Sequence, residues 1–89
     1  MEEMIYGARE LSPDAISVSV LDGYVLRIRF ANGELRDFDA KPMLSRKCYR
    51  ELNNEVLFRT AHVKCGTVAW ANGSDIDPDW LYEDSIAAN

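Results

Sequence analysis

The sequence predicts a small α+β domain, and three observations carry that prediction. The run "ISVSVLDGYVLRIRF" alternates apolar and polar residues on both sides of a tight-turn dipeptide, which is the pattern of an antiparallel hairpin. The stretch "PMLSRKCYREL" starts on proline and repeats its apolar residues at helical spacing. A second extended region, "AHVKCGTVAWANG", is followed by a helix-start signal in "DIDPDWLY".

Taken in order, residues 1–15 show no sustained period and read as an N-terminal arm, with Ser12, Pro13 and Asp14 forming a turn. Residues 16–84 read as one domain and 85–89 as a frayed tail. A three-stranded antiparallel meander is expected over residues 16–38. In its first strand Ile16, Val18 and Val20 face the core, and Asp22-Gly23 makes the turn. Tyr24, Leu26, Ile28 and Phe30 then share one face of the second strand, opposite Val25, Arg27 and Arg29.

The second turn, at Asn32-Gly33, decides the register. A two-residue turn pairs Phe30 with Leu35 and sets Asp37 opposite Ile28. A three-residue loop with Gly33 in the left-handed conformation pairs Leu26 with Phe38. The second is preferred, because a buried Asp37 without a partner is costly. It leaves Glu34 and Arg36 on the core-side face near its rim.

A helix is expected near residues 42–52. Pro42 suits its first turn, and Leu44, Cys48 and Leu52 line one face with Tyr49 beside them. Arg46, Lys47 and Arg50 lie off that face. After Asn53-Asn54, "EVLFRT" allows another helical turn that buries Leu57 or Phe58. Two shorter strands follow, with Gly66 marking a bend or bulge between them. A short C-terminal helix over 78–83 completes the fold.

Composition bounds the rest. Eighty-nine residues with 47% apolar and 28% charged side chains describe one ordinary globular domain. A chain of this length buries roughly 60–65% of the surface it exposes when unfolded. That gives one core and no deep substrate pocket. The net charge is −5, and it is unevenly spread. Residues 1–64 carry ten acids and ten bases. Residues 65–89 carry Asp75, Asp77, Asp79, Glu83 and Asp84 and no Lys or Arg. An acidic end repels phosphate backbones, so direct nucleic-acid binding is not expected, whereas a basic protein partner would be attracted. A solvated face that serves solubility is the plainer alternative.

Cys48 and Cys65 show no CxxC spacing and no His–Cys cluster, so no zinc site is expected. Free thiols in a reducing cytoplasm are the expectation, with a Cys48–Cys65 disulfide as the alternative. The N-terminus has no basic region followed by an apolar run, so no signal peptide is expected. No apolar stretch approaches the ~20 residues that span a bilayer, so no membrane partner is expected.

Asp75, Asp77 and Asp79 alternate like half of a calcium loop. With Asp75 as the first position of an EF-hand, the sixth should be Gly and is Trp80, and the twelfth should be Glu and is Ile86. Helix capping explains more. Asp77 suits the N-cap, Pro78 the first helical position, and Asp79 the first turn, where negative charge suits the helix dipole. Asp75 is not explained by capping. It is left to fix the Asn72-Gly73 turn, to face solvent or to face a partner. His62, the single histidine, falls in a predicted strand and reads as structural, and Cys65 has no base at fixed spacing to activate it. Arg27, Arg29 and Arg36 form either a basic strip or, as preferred, cross-strand pairs with Glu34 and Asp37. Trp70 and Trp80 read as core or as exposed anchors of an interface.

The order of "FANGELRDFDAKPML", "ELNNEVLFRTAHV" and "GTVAWANGSDIDPDWLY" resembles the small bacterial proteins of the domain of unknown function 2442 family, over about residues 16–83. The resemblance rests on Asn32-Gly33-Glu34, Phe38-Asp39, Pro42, Gly66 and the block Trp70, Asn72-Gly73, Asp75-Ile76-Asp77-Pro78. The family usually has Pro after the tryptophan and Ala after the glycine, where this chain has Ala71 and Ser74. The resemblance implies a compact α+β fold and partnership with another small protein, in gene arrangements similar to toxin–antitoxin pairs. It implies no catalytic residues.

The functional expectation is therefore a non-enzymatic protein-binding module, antitoxin-like or regulatory and cytoplasmic. It would contact a basic protein through Asp75, Asp79, Glu83, Trp70 and Trp80. No cofactor or metal is expected. Two alternatives stand beside it. One is an acidic inhibitor that occupies a nucleic-acid site on another protein. The other is a small metal-dependent hydrolase that uses the aspartates. A homodimer through an exposed strand edge is compatible with each.

Overall fold

The turn at Gly33 sets the architecture. Gly33 has φ +91°, a conformation open to glycine at little cost, and its N–H closes the loop onto the Phe30 carbonyl at 2.9 Å. Strand β2 (Val25–Phe30) and strand β3 (Leu35–Asp39) then pair antiparallel with Leu26 opposite Phe38 and Arg27 opposite Asp37. This is the three-residue loop expected from the cost of burying Asp37. The computed structural model describes residues 12–88, so all but the last few residues of the arm expected over 1–15 lie outside the described residues.

Strand β1 (Ala15–Leu21) pairs antiparallel with β2, Val18 opposite Ile28 and Val20 opposite Leu26. The meander is as expected, with one correction. A bulge between Ala15 and Ser17 shifts the register, so Ala15 is buried and Ile16 is 55% exposed instead of facing the core. The fold class is α+β.

Residues 42–52 do not form one helix. Two 3₁₀ segments take its place, Lys41–Ser45 and Lys47–Asn53, with Arg46 between them in extended conformation (φ −77°, ψ 143°). The broken axis turns Met43, Leu44 and Leu52 inward and leaves Cys48 exposed, against the expectation that Cys48 lines the apolar face. Asn53 ties the two segments together, its amide N–H groups reaching the carbonyls of Leu44 and Arg50. A single turn of helix α1 (Glu55–Phe58) follows, capped by Asn54, and buries Phe58.

Strands β4 (His62–Lys64) and β5 (Thr67–Ala69) pair directly, Lys64 opposite Thr67. Gly66 is thus the second residue of a two-residue hairpin turn. Cys65 and Gly66 have φ +51° and +79°, the two positive values that this primed turn demands. The hairpin leans on the start of β1, where Ala15 N–H donates to the Gly66 carbonyl at 2.8 Å. A Cβ on Gly66 would sit 2.6 Å from Asp14 Oδ1. Asp14 Cγ and Cβ would lie 2.9 and 3.3 Å away as well, so this close approach adds to the cost of the left-handed φ. Gly66→Ala is expected to cost at least about 1–2 kcal/mol, measured as a lower urea midpoint at unchanged slope.

The C-terminal helix α2 (Pro78–Glu83) forms as expected. Of the tail expected to fray over 85–89, residues 85–88 are described and are held to the sheet, while Asn89 lies outside the described residues. Ser85 is buried, and β6 (Ile86–Ala87) pairs antiparallel with Arg36 and Asp37 of β3. The sheet order is β1-β2-β3-β6. Its core face carries Leu26, Ile28, Phe30 and Phe38. Against that face pack the 3₁₀ segments, Phe58, Val68, Trp70, Ile76 and Leu81. No described helix is long and apolar enough to cross a membrane.

Candidate functional site

The acidic segment is built on the cap of α2. The Asp77 carboxylate accepts from Asp79 N–H at 2.8 Å and from Trp80 N–H at 3.3 Å, and Pro78 follows in the first helical turn. Asp77 is therefore the N-cap read from the sequence. Asp77→Ala is expected to lower stability by about 1 kcal/mol, and Asp77→Asn, which keeps an accepting oxygen, by much less. Urea denaturation of the two variants checks this.

Asp75 serves the fold through its backbone. It bridges Ala69 in an isolated antiparallel pair, and its carbonyl accepts from the Tyr49 hydroxyl at 2.7 Å. The Asn72-Gly73 turn is fixed by Asn72 instead, whose side-chain oxygen accepts from Ser74 N–H. The Asp75 side chain is left exposed. Asp79 and Glu83 lie one turn apart along α2 and so share a side of it. Glu83 and Asp84 fall at the end of α2, where the helix dipole disfavours negative charge, and no base occupies that last turn.

The two tryptophans separate. Trp70 is 2% exposed and its Nε1–H donates to the Phe58 carbonyl at 2.9 Å. As a partner contact it is corrected, since a side chain sealed in the core reaches no surface. Trp80 is half-buried. Its inner side meets Phe38 edge-on at 5.9 Å and Tyr49 at 6.2 Å. Its Nε1–H donates to Asp84, and the Arg46 guanidinium lies over the ring, 4.9 Å from its centre. Sequence reasoning missed Arg46 and Tyr49 at this site. Their signal was weak, because a continuous helix would have kept Arg46 off the packed face.

A second cluster holds the acidic segment to the sheet. Arg36 donates to the Ser85 hydroxyl at 2.7 Å and to the Ser85 carbonyl, and lies 4.5 Å over the Tyr82 ring. Tyr82 donates its hydroxyl to Glu34. Glu34 and Arg36, left on the core-side rim by the register, thus find partners in the chain's last residues. On the opposite face Arg27 grips Asp37 with two hydrogen bonds, 2.9 and 3.0 Å, which is the expected cross-strand pairing.

These contacts shift the titrations. The Tyr82 hydroxyl, then Asn32, holds Glu34 below the usual carboxylate range. The Arg27 hydrogen bond holds Asp37 below it too. The same Glu34 contact pushes the Tyr82 phenol up, and burial pushes Tyr49 up. Both carboxyls titrate lower in the folded than in the unfolded chain, so the unfolded state binds more protons between the two values. Their contribution is present above about pH 4 and is lost as pH falls through the folded values. The two phenols contribute below about pH 10, and that contribution is lost as pH rises further. The urea midpoint is expected to fall on both flanks. The acid flank is expected to be flatter in a Glu34→Gln/Asp37→Asn variant.

His62 is exposed on β4, its Nδ1 3.0 Å from the Thr60 carbonyl. Cys48 and Cys65 are both free and exposed. Among the described residues no three His, Cys, Asp or Glu side chains stand together in a way that could hold a metal ion, and no ligand-sized pocket opens. Comparison with curated proteins and with solved structures finds no match. The model of one family, described as a protein of unknown function (DUF2442), matches residues 15–87. The chain belongs to the DUF2442 family.

Proposed function

We propose that this chain is a non-enzymatic protein-binding module of regulatory or antitoxin-like character, acting in the cytoplasm. It contacts a basic protein with its acidic C-terminal third. The observation that carries the reading is the fate of the charge. The whole net charge of −5 falls in residues 65–89, and folding leaves the Asp75 and Glu83 carboxylates exposed at the surface. Asp77 caps α2 and Asp84 orients Trp80. Asp75 makes its hydrogen bonds to the fold through its backbone, and Glu83 sits where the helix dipole opposes it. Exposed carboxylates at Asp75 and Glu83, with a half-buried tryptophan and an arginine over it in the same segment, match the chemistry of an interface with a cationic partner.

Such a complex depends on ionic strength. Its affinity is expected to fall steadily as NaCl rises from 50 to 500 mM, through slower association. Surface plasmon resonance with the purified partner checks this. An affinity that is independent of salt removes the acidic surface from the account.

A further inference from the structure

The break at Arg46 has no local cause in the sequence. Neither glycine nor proline occupies residues 43–50, and helical spacing runs through them, yet Arg46 takes an extended backbone between two 3₁₀ segments. The effect of the break is to carry the guanidinium onto the outer face of Trp80. There it makes no ion pair with a described acid. Its partner is the ring. That ring is fixed before anything binds, by Phe38 edge-on, by Tyr49 and by the Nε1–H bond to Asp84.

The geometry points to a guanidinium slot on Trp80, filled by Arg46 in the free protein and taken by an arginine of the basic partner on binding. This rests on the protein-binding reading above and names the side chain that the surface selects. Arginine suits the slot better than lysine because its planar cation stacks on an aromatic face. The exposed carboxylates of the C-terminal third draw a cation toward the ring. Arg46 is exposed, and a solvent-exposed cation–π contact is weak, so exchange of one guanidinium for another costs little. Arg46 acts as a competitor within the chain. It keeps the ring covered until a partner presents several cations together.

The test is an NMR titration at low salt with a blocked tetra-arginine peptide, following the Trp80 indole N–H against that of the buried Trp70. Wild type, Arg46→Ala, Arg46→Lys and Lys47→Ala are compared. Arg46→Ala is expected to bind about three-fold tighter than wild type, with Arg46→Lys between them. Only the Trp80 resonance should move, and a tetra-lysine peptide should bind more weakly. Lys47→Ala removes one neighbouring charge and leaves the ring covered, so it should gain less. Equal gains for Lys47→Ala and Arg46→Ala, or peptide binding without movement of the Trp80 resonance, would overturn the slot and leave the acidic surface standing. Failure of both peptides to bind any form would overturn both.

Discussion

Trp70→Ala is expected to remove about 3–5 kcal/mol of stability. The side chain is 2% exposed, and it closes the core between Phe58, with ring centres 5.8 Å apart, and the sheet. Truncation leaves a large cavity and strips the Phe58 carbonyl of its indole donor. A domain of this length holds only about 5–10 kcal/mol in all, so the variant should lose a large part of its stability and unfold at a much lower temperature. Trp80→Ala should cost much less, since its ring is half in solvent. Urea denaturation of the pair measures the difference. Equal costs would contradict the assignment of Trp70 to the core and Trp80 to the surface.

Leu81→Ala is expected to cost about 2–5 kcal/mol. Leu81 is fully buried and is the residue of α2 that sits in the core. Its neighbours Trp80 and Tyr82 reach Phe38 and Phe30 from the two sides. Losing the central anchor loosens the helix that carries Asp79, Trp80 and Glu83. Partner affinity should therefore drop along with stability, although Leu81 touches no partner. A variant that loses stability at full affinity would separate the acidic surface from α2.

Much of the fold was legible because short-range chemistry decides it. The hairpin register followed from one argument about Asp37, and Asp77-Pro78 marked the start of α2. What was not legible depended on distant partners. The bulge that exposes Ile16 lies where the β4–β5 turn meets β1 through Gly66. The 42–52 helix broke at Arg46, where the two 3₁₀ segments turn Met43, Leu44 and Leu52 into a core built from distant residues, and Arg46 meets Trp80, 34 positions away. The tail looked frayed because its alanines carry no pattern. It is ordered by Arg36, 49 positions upstream of Ser85. At the candidate site the acids were visible as a charge imbalance. The burial that separates Trp70 from Trp80 belongs to the tertiary structure.

The central claim is that the acidic C-terminal third binds a basic protein. Its most direct test is affinity purification from the native host, with wild type beside Asp75→Lys. Asp75 is the residue to change because its side chain is exposed while its folding role lies in the backbone. The account predicts a basic protein retained by wild type and lost from the variant, with both forms equally stable to urea. Equal retention by both forms, or retention by neither, would contradict it.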